Sequence, residues 1–184
     1  MRQNIRIKLV RTSLVASAVL LATGVLAPSS SAAGSKYIPT EKDWMSIQKV
    51  LYEYHTGLDK HDNKLMASAF TEDGVLAAES ENGVVTRLQG RAKIAALGFV
   101  GVAPPPAGPP PPPGQRWHFT GNDYYEFQSP THATHYSYWL DLLSPSSGDR
   151  ASQISVPGHY EDIIVKQKDG QWLFQQREIV VGKK

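Results

Sequence analysis

The sequence predicts an α+β domain in which N-terminal helices pack on one face of a curved, mainly antiparallel sheet. Two observations carry that expectation. Apolar residues recur at spacings of three and four from Trp44 to Leu58, whereas the chain from Gln115 onward holds long runs of strand type. Turn chemistry agrees: Asn82-Gly83 and Asp169-Gly170 are hairpin pairs, and hairpins join antiparallel strands. Helices first and antiparallel strands afterwards is an α+β order.

Before the first helix comes a different kind of segment. Arg2, Arg6, Lys8 and Arg11 precede an apolar run from Leu14 to Ala27, followed by Ser29-Ser30-Ser31-Ala32-Ala33-Gly34. A basic start, a short apolar stretch and small residues at its end form the pattern of a secretory signal peptide. Residues 1–33 are therefore expected to be a leader cleaved after Ala32 or Ala33, making the product periplasmic or secreted. Four of the nineteen basic residues and none of the seventeen acidic ones lie before Gly34, so the remainder carries about −2. That balance leaves no basic patch for nucleic acid or an anionic membrane. Zero cysteines exclude disulfides, thiolate catalysis and zinc–thiolate sites.

Residues 34–39 read as an extended lead-in, and 40–184 as the domain. Thr40 is placed to cap the first helix, with Glu41 and Asp43 in its first turn. Trp44, Ile47, Leu51, Tyr54 and Leu58 form its apolar stripe, and Gly57 with Lys60-His61-Asp62-Asn63 marks its end. A shorter helix follows over Lys64–Phe70. Thr71–Gly74 reads as a turn into a strand from Val75, with a two-residue turn at Asn82-Gly83 and a return strand over Val84–Leu88. Gly90-Arg91 opens a third helix, Ala92–Phe99. Residues 103–114, with five consecutive prolines, are an insertion that reads as a polyproline spacer or lid. The remaining strands are expected around His118 and over Thr131–Leu143, Pro157–Lys168 and Gln171–Val181.

At a strand's period of two, His118, Thr120 and Asn122 share one face and Trp117 and Phe119 the other. A face bearing imidazole, hydroxyl and amide must meet water or line a cavity. The expectation is that Asp59, at the end of the first helix, meets His118 inside one pocket. His132 and His135 fall on opposite strand faces and cannot share a metal. His135, Ser137, Trp139 and Asp141 share a face, so His135 and Asp141 are secondary candidates if that face is the inner one. Asp162 is read as a structural partner of Arg177. No Gly-rich phosphate loop and no Gly-x-Ser-x-Gly elbow is present, and neither metal nor cofactor is expected.

Several short motifs, in order, resemble the SnoaL-like branch of the nuclear-transport-factor-2-like superfamily. They are Tyr54–Lys60, Phe70–Leu76, Gly90–Ile94, His118–Asn122, Gly158–Asp162, and Asp169–Phe174 ending at Arg177. The resemblance implies a cone-shaped α+β barrel over most of residues 40–181. Two of the superfamily's enzymes, scytalone dehydratase and hexachlorocyclohexane dehydrochlorinase, pair an aspartate at the end of the first helix with a histidine on a central strand. Asp59 and His118 match those positions. The dehydratase's two tyrosines align here with Leu58 and roughly Ala78, and its second histidine falls near Asp141, so its substrate-reading groups do not carry over.

The matched pair implies proton abstraction by His118, oriented by Asp59, in a cofactor-independent lyase or isomerase of dehydratase or dehydrohalogenase type. Asn122, Tyr54, Tyr160 and Arg177 are the candidates for binding substrate or stabilising developing charge. Two alternatives stand beside it: a non-catalytic pocket for a small apolar or aromatic ligand, and a module whose sheet forms a homo-oligomer.

Overall fold

The computed structural model describes residues 37–79, 83–98, 114–145 and 153–182, all within the compact unit Ser35–Lys184. The expected leader, the proline run and Asn82 of the first hairpin pair lie outside the described residues. The α+β class is what the chain adopts. Among the described residues, three helices, α1 (Glu41–Asp59), α2 (Asn63–Ser68) and α3 (Arg91–Leu97), accompany six strands. These are β1 (Phe70–Glu79), β2 (Val85–Gln89), β3 (Gly114–Ser129), β4 (His132–Pro145), β5 (Gln153–Lys166) and β6 (Trp172–Val181). They form one sheet in the order β2-β1-β6-β5-β4-β3. Every pairing is antiparallel except β1 with β6. Helix α1 touches both β6 and β3, which lie three strand spacings apart. Three spacings are roughly 14 Å, more than a helix's own width of about 10–12 Å, so the sheet curls round α1.

The first helix starts where the sequence places it. Thr40 Oγ1 accepts from Asp43 N at 3.3 Å, and the Asp43 carboxylate accepts from Thr40 N at 2.9 Å, a reciprocal capping box. Ile47, Val50 and Tyr54 are buried against Phe70, Ile164 and Phe174 of the sheet, Met66 of α2 and Ile94 of α3. Each such side chain contributes about 1.5–3 kcal/mol when fully buried. Trp44 lies at the rim instead, edge-on to Tyr125 and Phe127 of β3.

Several boundaries differ from expectation. Gly57 does not end α1 but lies inside it, because a Cβ there would collide with the Met66 backbone where α2 crosses. Helix α2 begins earlier, capped by Asp62 Oδ1 on Lys64 N at 3.1 Å and Leu65 N at 3.0 Å. The expected turn at Thr71–Gly74 belongs to β1, whose register against β6 shifts between Phe70 and Val75. The irregularity satisfies a turn-like sequence without leaving the strand. Among the described residues, β1 pairs with β2 as far as Glu79↔Val85. Strand β3 continues well past Asn122, interrupted by a register shift between Gly121 and Tyr124.

Asp43 ties the helix start to the sheet. Its Oδ1 accepts from Trp172 Nε1 at 2.9 Å and pairs with Lys166 Nζ at 2.7 Å. Its Oδ2 accepts from Tyr37 and Thr40 hydroxyls, both at 2.7 Å. Burial alone would raise this carboxyl, but the hydrogen bonds from Lys166, Trp172, Thr40 and Tyr37 hold it far below the usual carboxylate range. A depressed folded pKa contributes stability that is present above the unfolded value of about 4 and lost as pH falls below it. Asp43→Ala should cost roughly 3 kcal/mol in urea unfolding at pH 7. It should also flatten the loss of stability between pH 4 and pH 2; an unchanged acid limb would refute this account.

Candidate functional site

His55 and Asp59 are one helical turn apart, on the flank of α1 that adjoins its core stripe. Asp59 is the helix's last residue, where unpaired carbonyls carry partial negative charge and no basic side chain stands in the last turn. A carboxylate in that position needs donors from elsewhere. His118 supplies two. Its backbone N–H at 3.0 Å and its ring Nδ1 at 2.8 Å both reach Asp59 Oδ1. A carboxylate only accepts, so Nδ1 carries a proton, and in the neutral ring the lone pair is on Nε2. The side chains remain 13% and 19% exposed, for His118 and Asp59 respectively. Solvent reaches the pair in part.

The face of β4 that carries His135, Ser137, Trp139 and Asp141 is the inner one, since all four are buried while His132 is exposed. Asp141 stands directly across the ladder from His118. Deeper in the concave face a second polar group crosses the sheet in register, from His135 through Asp162 to Arg177. The Arg177 guanidinium donates from Nε at 2.9 Å and Nη2 at 2.6 Å to the two Asp162 oxygens. Its carbon sits 4.0–4.2 Å from the ring centroids of Phe174, Tyr160 and Tyr54. Burial would raise Asp162, but the Arg177 charge together with the hydrogen bonds from His135 and Arg177 lowers the carboxyl. Burial also pushes the Tyr54 phenol up to about 12 and Tyr160 well above 10, so both stay protonated as donors.

The structure therefore brings Asp59 and His118 into contact, and gathers Tyr54 and Tyr160 around Arg177. The pairing of Asp162 with Arg177 forms as expected. Two expected ligand contacts do not hold. His135 has a carboxylate on each ring nitrogen, Asp162 at 2.7 Å and Asp123 at 2.9 Å, leaving no nitrogen for a substrate. Asn122 does not share the face of His118. The register shift after Gly121 breaks the alternation, Asn122 takes φ 58°, and its side chain is exposed. It borders a shallow depression of about 330 Å³ with Phe119, Tyr138 and Pro157, on the sheet's outer side.

One residue went unassigned by sequence reasoning. His55 Nδ1 lies 2.8 Å from Leu51 O, so that nitrogen carries the proton and donates. Nε2 is buried with no hydrogen-bond partner. Burial, followed by the nearby Arg177 charge, pulls its pKa down to about 3, so the ring is neutral at physiological pH. The i, i+4 relation to Asp59 was the available signal.

The SnoaL-like domain profile matches residues 42–178. The chain belongs to the SnoaL-like family. Among solved structures, this SnoaL-like chain resembles ActVI-ORFA from Streptomyces coelicolor at TM-score 0.61 and 21% identity, over 75% of this chain and 96% of that one. A protein proposed to be a scytalone dehydratase from Novosphingobium aromaticivorans aligns at TM-score 0.56 and 25% identity, over 76% and 84%. A protein from Catenulispora acidiphila, solved in complex with S-DNPA, aligns at 0.57 and 20%, over 75% and 92%. A search of curated proteins gives no match.

The Arg177–Asp162 pair lies in the SnoaL-like core, away from solvent. Removing one partner strands the other's charge, so Arg177→Met and Asp162→Asn should each cost about 3–5 kcal/mol in urea unfolding. Arg177→Lys should rescue little of this, since an ammonium cannot make the two parallel bonds. A loss under about 1 kcal/mol in both would show that the pair does not hold the core.

Proposed function

We propose that the protein is a cofactor-independent lyase or isomerase that abstracts a proton from a small apolar or aromatic substrate. The observation that carries this reading is the Asp59–His118 contact at 2.8 Å, partly open to solvent. Asp59 fixes the tautomer with the proton on Nδ1, so Nε2 is the general base. As Nε2 takes the substrate's proton, the ring becomes imidazolium, and the adjacent carboxylate stabilises it without being protonated. The electron pair left on the substrate then expels a leaving group or returns to a proton at another carbon. Tyr54 and Tyr160 phenols, kept protonated by burial, are the donors best suited to developing negative charge. The SnoaL-like fold and the Novosphingobium relative support this class of chemistry.

A second reading, binding without turnover, is favoured by the relative solved with S-DNPA. Export after removal of residues 1–33 remains part of the proposal, and intact mass of protein from an exporting host would check it.

Exchange into deuterated water separates the two readings. The wild-type protein should speed exchange of the α-protons of 2-tetralone, followed by proton NMR. His118→Ala and Asp59→Asn should each lose about 100-fold or more, with thermal midpoints close to wild type. Equal losses of midpoint in both variants would make the dyad a structural pair, and no exchange by the wild type would favour binding alone.

A further inference from the structure

The polar chain that begins at Arg177 ends on a carboxylate at the rim. Asp162 is buried and takes both bonds of the Arg177 fork, at 2.9 and 2.6 Å, besides His135 Nδ1 at 2.7 Å. Asp123, at the other end, is bonded to His135 Nε2 at 2.9 Å, and its side chain is 37% exposed. An ionised carboxylate only accepts, so an imidazole between two of them donates from both nitrogens and is positively charged. The charges then cancel along the chain, Arg177 against Asp162 and His135 against Asp123.

Asp123 lies in an irregular part of β3. That strand is last in the sheet order, and its ladder with β4 shifts register between Gly121 and Tyr124. Within the shift Asn122 takes φ 58°, a conformation uncommon for residues other than glycine. A Cβ at Gly121 would meet nothing within 4 Å, so no packed neighbour braces the bulge there. The Asp123–His135 bond does. His135 cannot follow a moving strand, because it is buried, stacks on Tyr125 at 4.6 Å and is bonded to Asp162.

We propose that His135 and Asp123 form a proton-operated latch on β3: the doubly protonated His135 ring holds the bulge closed, and loss of one proton lets Asp123 turn out to water. Which proton leaves follows from which carboxylate can move. A lone pair on Nδ1 would face the buried Asp162 oxygen at 2.7 Å with no escape. A lone pair on Nε2 faces Asp123, which has water beside it. The other groups around the ring keep their charge states while it titrates. Arg177 of β6 stays a cation, and its charge and the hydrogen bonds keep Asp162 of β5 ionised despite burial. Burial, then the Asp123 charge, raise the Tyr125 phenol of β3, so it stays neutral. From α1, Tyr54 and His55 adjoin the Asp162–Arg177 pair, and burial keeps both neutral. The latch is therefore closed on the acid side of the ring's titration, for as long as Asp123 is ionised, and opens as pH rises through it. The loosened stretch begins just past His118 on the same strand. The inference stands apart from the proposed chemistry, since it needs no substrate.

Hydrogen exchange and ring NMR on the folded protein test this. From about pH 5 to about pH 9, protection factors corrected for intrinsic exchange should fall about tenfold for the β4-bonded amides between Tyr124 and Phe127. Amides of the β5–β6 pairing should hold theirs. Over the same range the ¹⁵N resonance of His135 Nε2 should move to its unprotonated position while Nδ1 keeps its proton. Asp123→Ala should leave the bulge weakly protected at both ends of the range. Asp123→Asn should restore protection at both, because an amide can accept from an N–H or donate to a lone pair. Wild-type protection that does not change with pH, an unchanged pH dependence in Asp123→Ala, or loss of the Nδ1 proton in place of the Nε2 proton would each overturn the latch.

Discussion

A full positive charge with no exposure sits at the centre of this domain, and the rest of the structure is arranged to make that tolerable. Arg177 is completely buried. Isolated, a guanidinium there would be out of reach of folding free energy. It is held by a two-point bond to Asp162 on the neighbouring strand and by three aromatic faces, from α1, β5 and β6. Asp162 extends the network to His135 of β4, and His135 to Asp123 of β3. One charge thereby links α1 and four strands. The helix that presents Asp59 is positioned by the same contact, because Tyr54 lies on the Arg177 guanidinium one turn before Leu58.

The polar interior divides into two regions with different jobs. Around Arg177 solvent is excluded, and two guanidinium nitrogens are committed to Asp162 while Nη1 and the Tyr54 hydroxyl have no hydrogen-bond partner. Around His118 the groups are half-buried, and the imidazole has a committed nitrogen and an uncommitted one. The difference in exposure is what separates the scaffold from the site.

Much of this was legible in the sequence, for reasons that differ by element. The capped start of α1, its apolar stripe and the Asp169-Gly170 hairpin depend on local chemistry, which a single chain displays. Asp59 and His118 were legible through their resemblance to a known pattern, since nothing local joins residues so far apart. Asn122 was misplaced because period-two counting assumes an unbroken strand. The shift after Gly121 moves the following side chains of β3 to the other face, as far as the second shift past Phe127. His135 was placed on one face with Ser137, Trp139 and Asp141, but the direction of that face was left open, and its two carboxylate partners come from β3 and β5 and leave no local trace. Gly57 was read as a helix stop because a glycine's role in close packing looks the same in sequence as its role in ending a helix.

Strand β6 lies between β1 and β5 and is the last element in chain order. The sheet consequently cannot be assembled from its N-terminal side. Until β6 arrives, β1 and β2 form an isolated ribbon and the β3–β5 meander has an open inner edge. Arg177 and Phe174, which complete the core, arrive with the same strand. On a ribosome the domain would stay without its centre until almost all of it had been synthesised, and then close in one cooperative step.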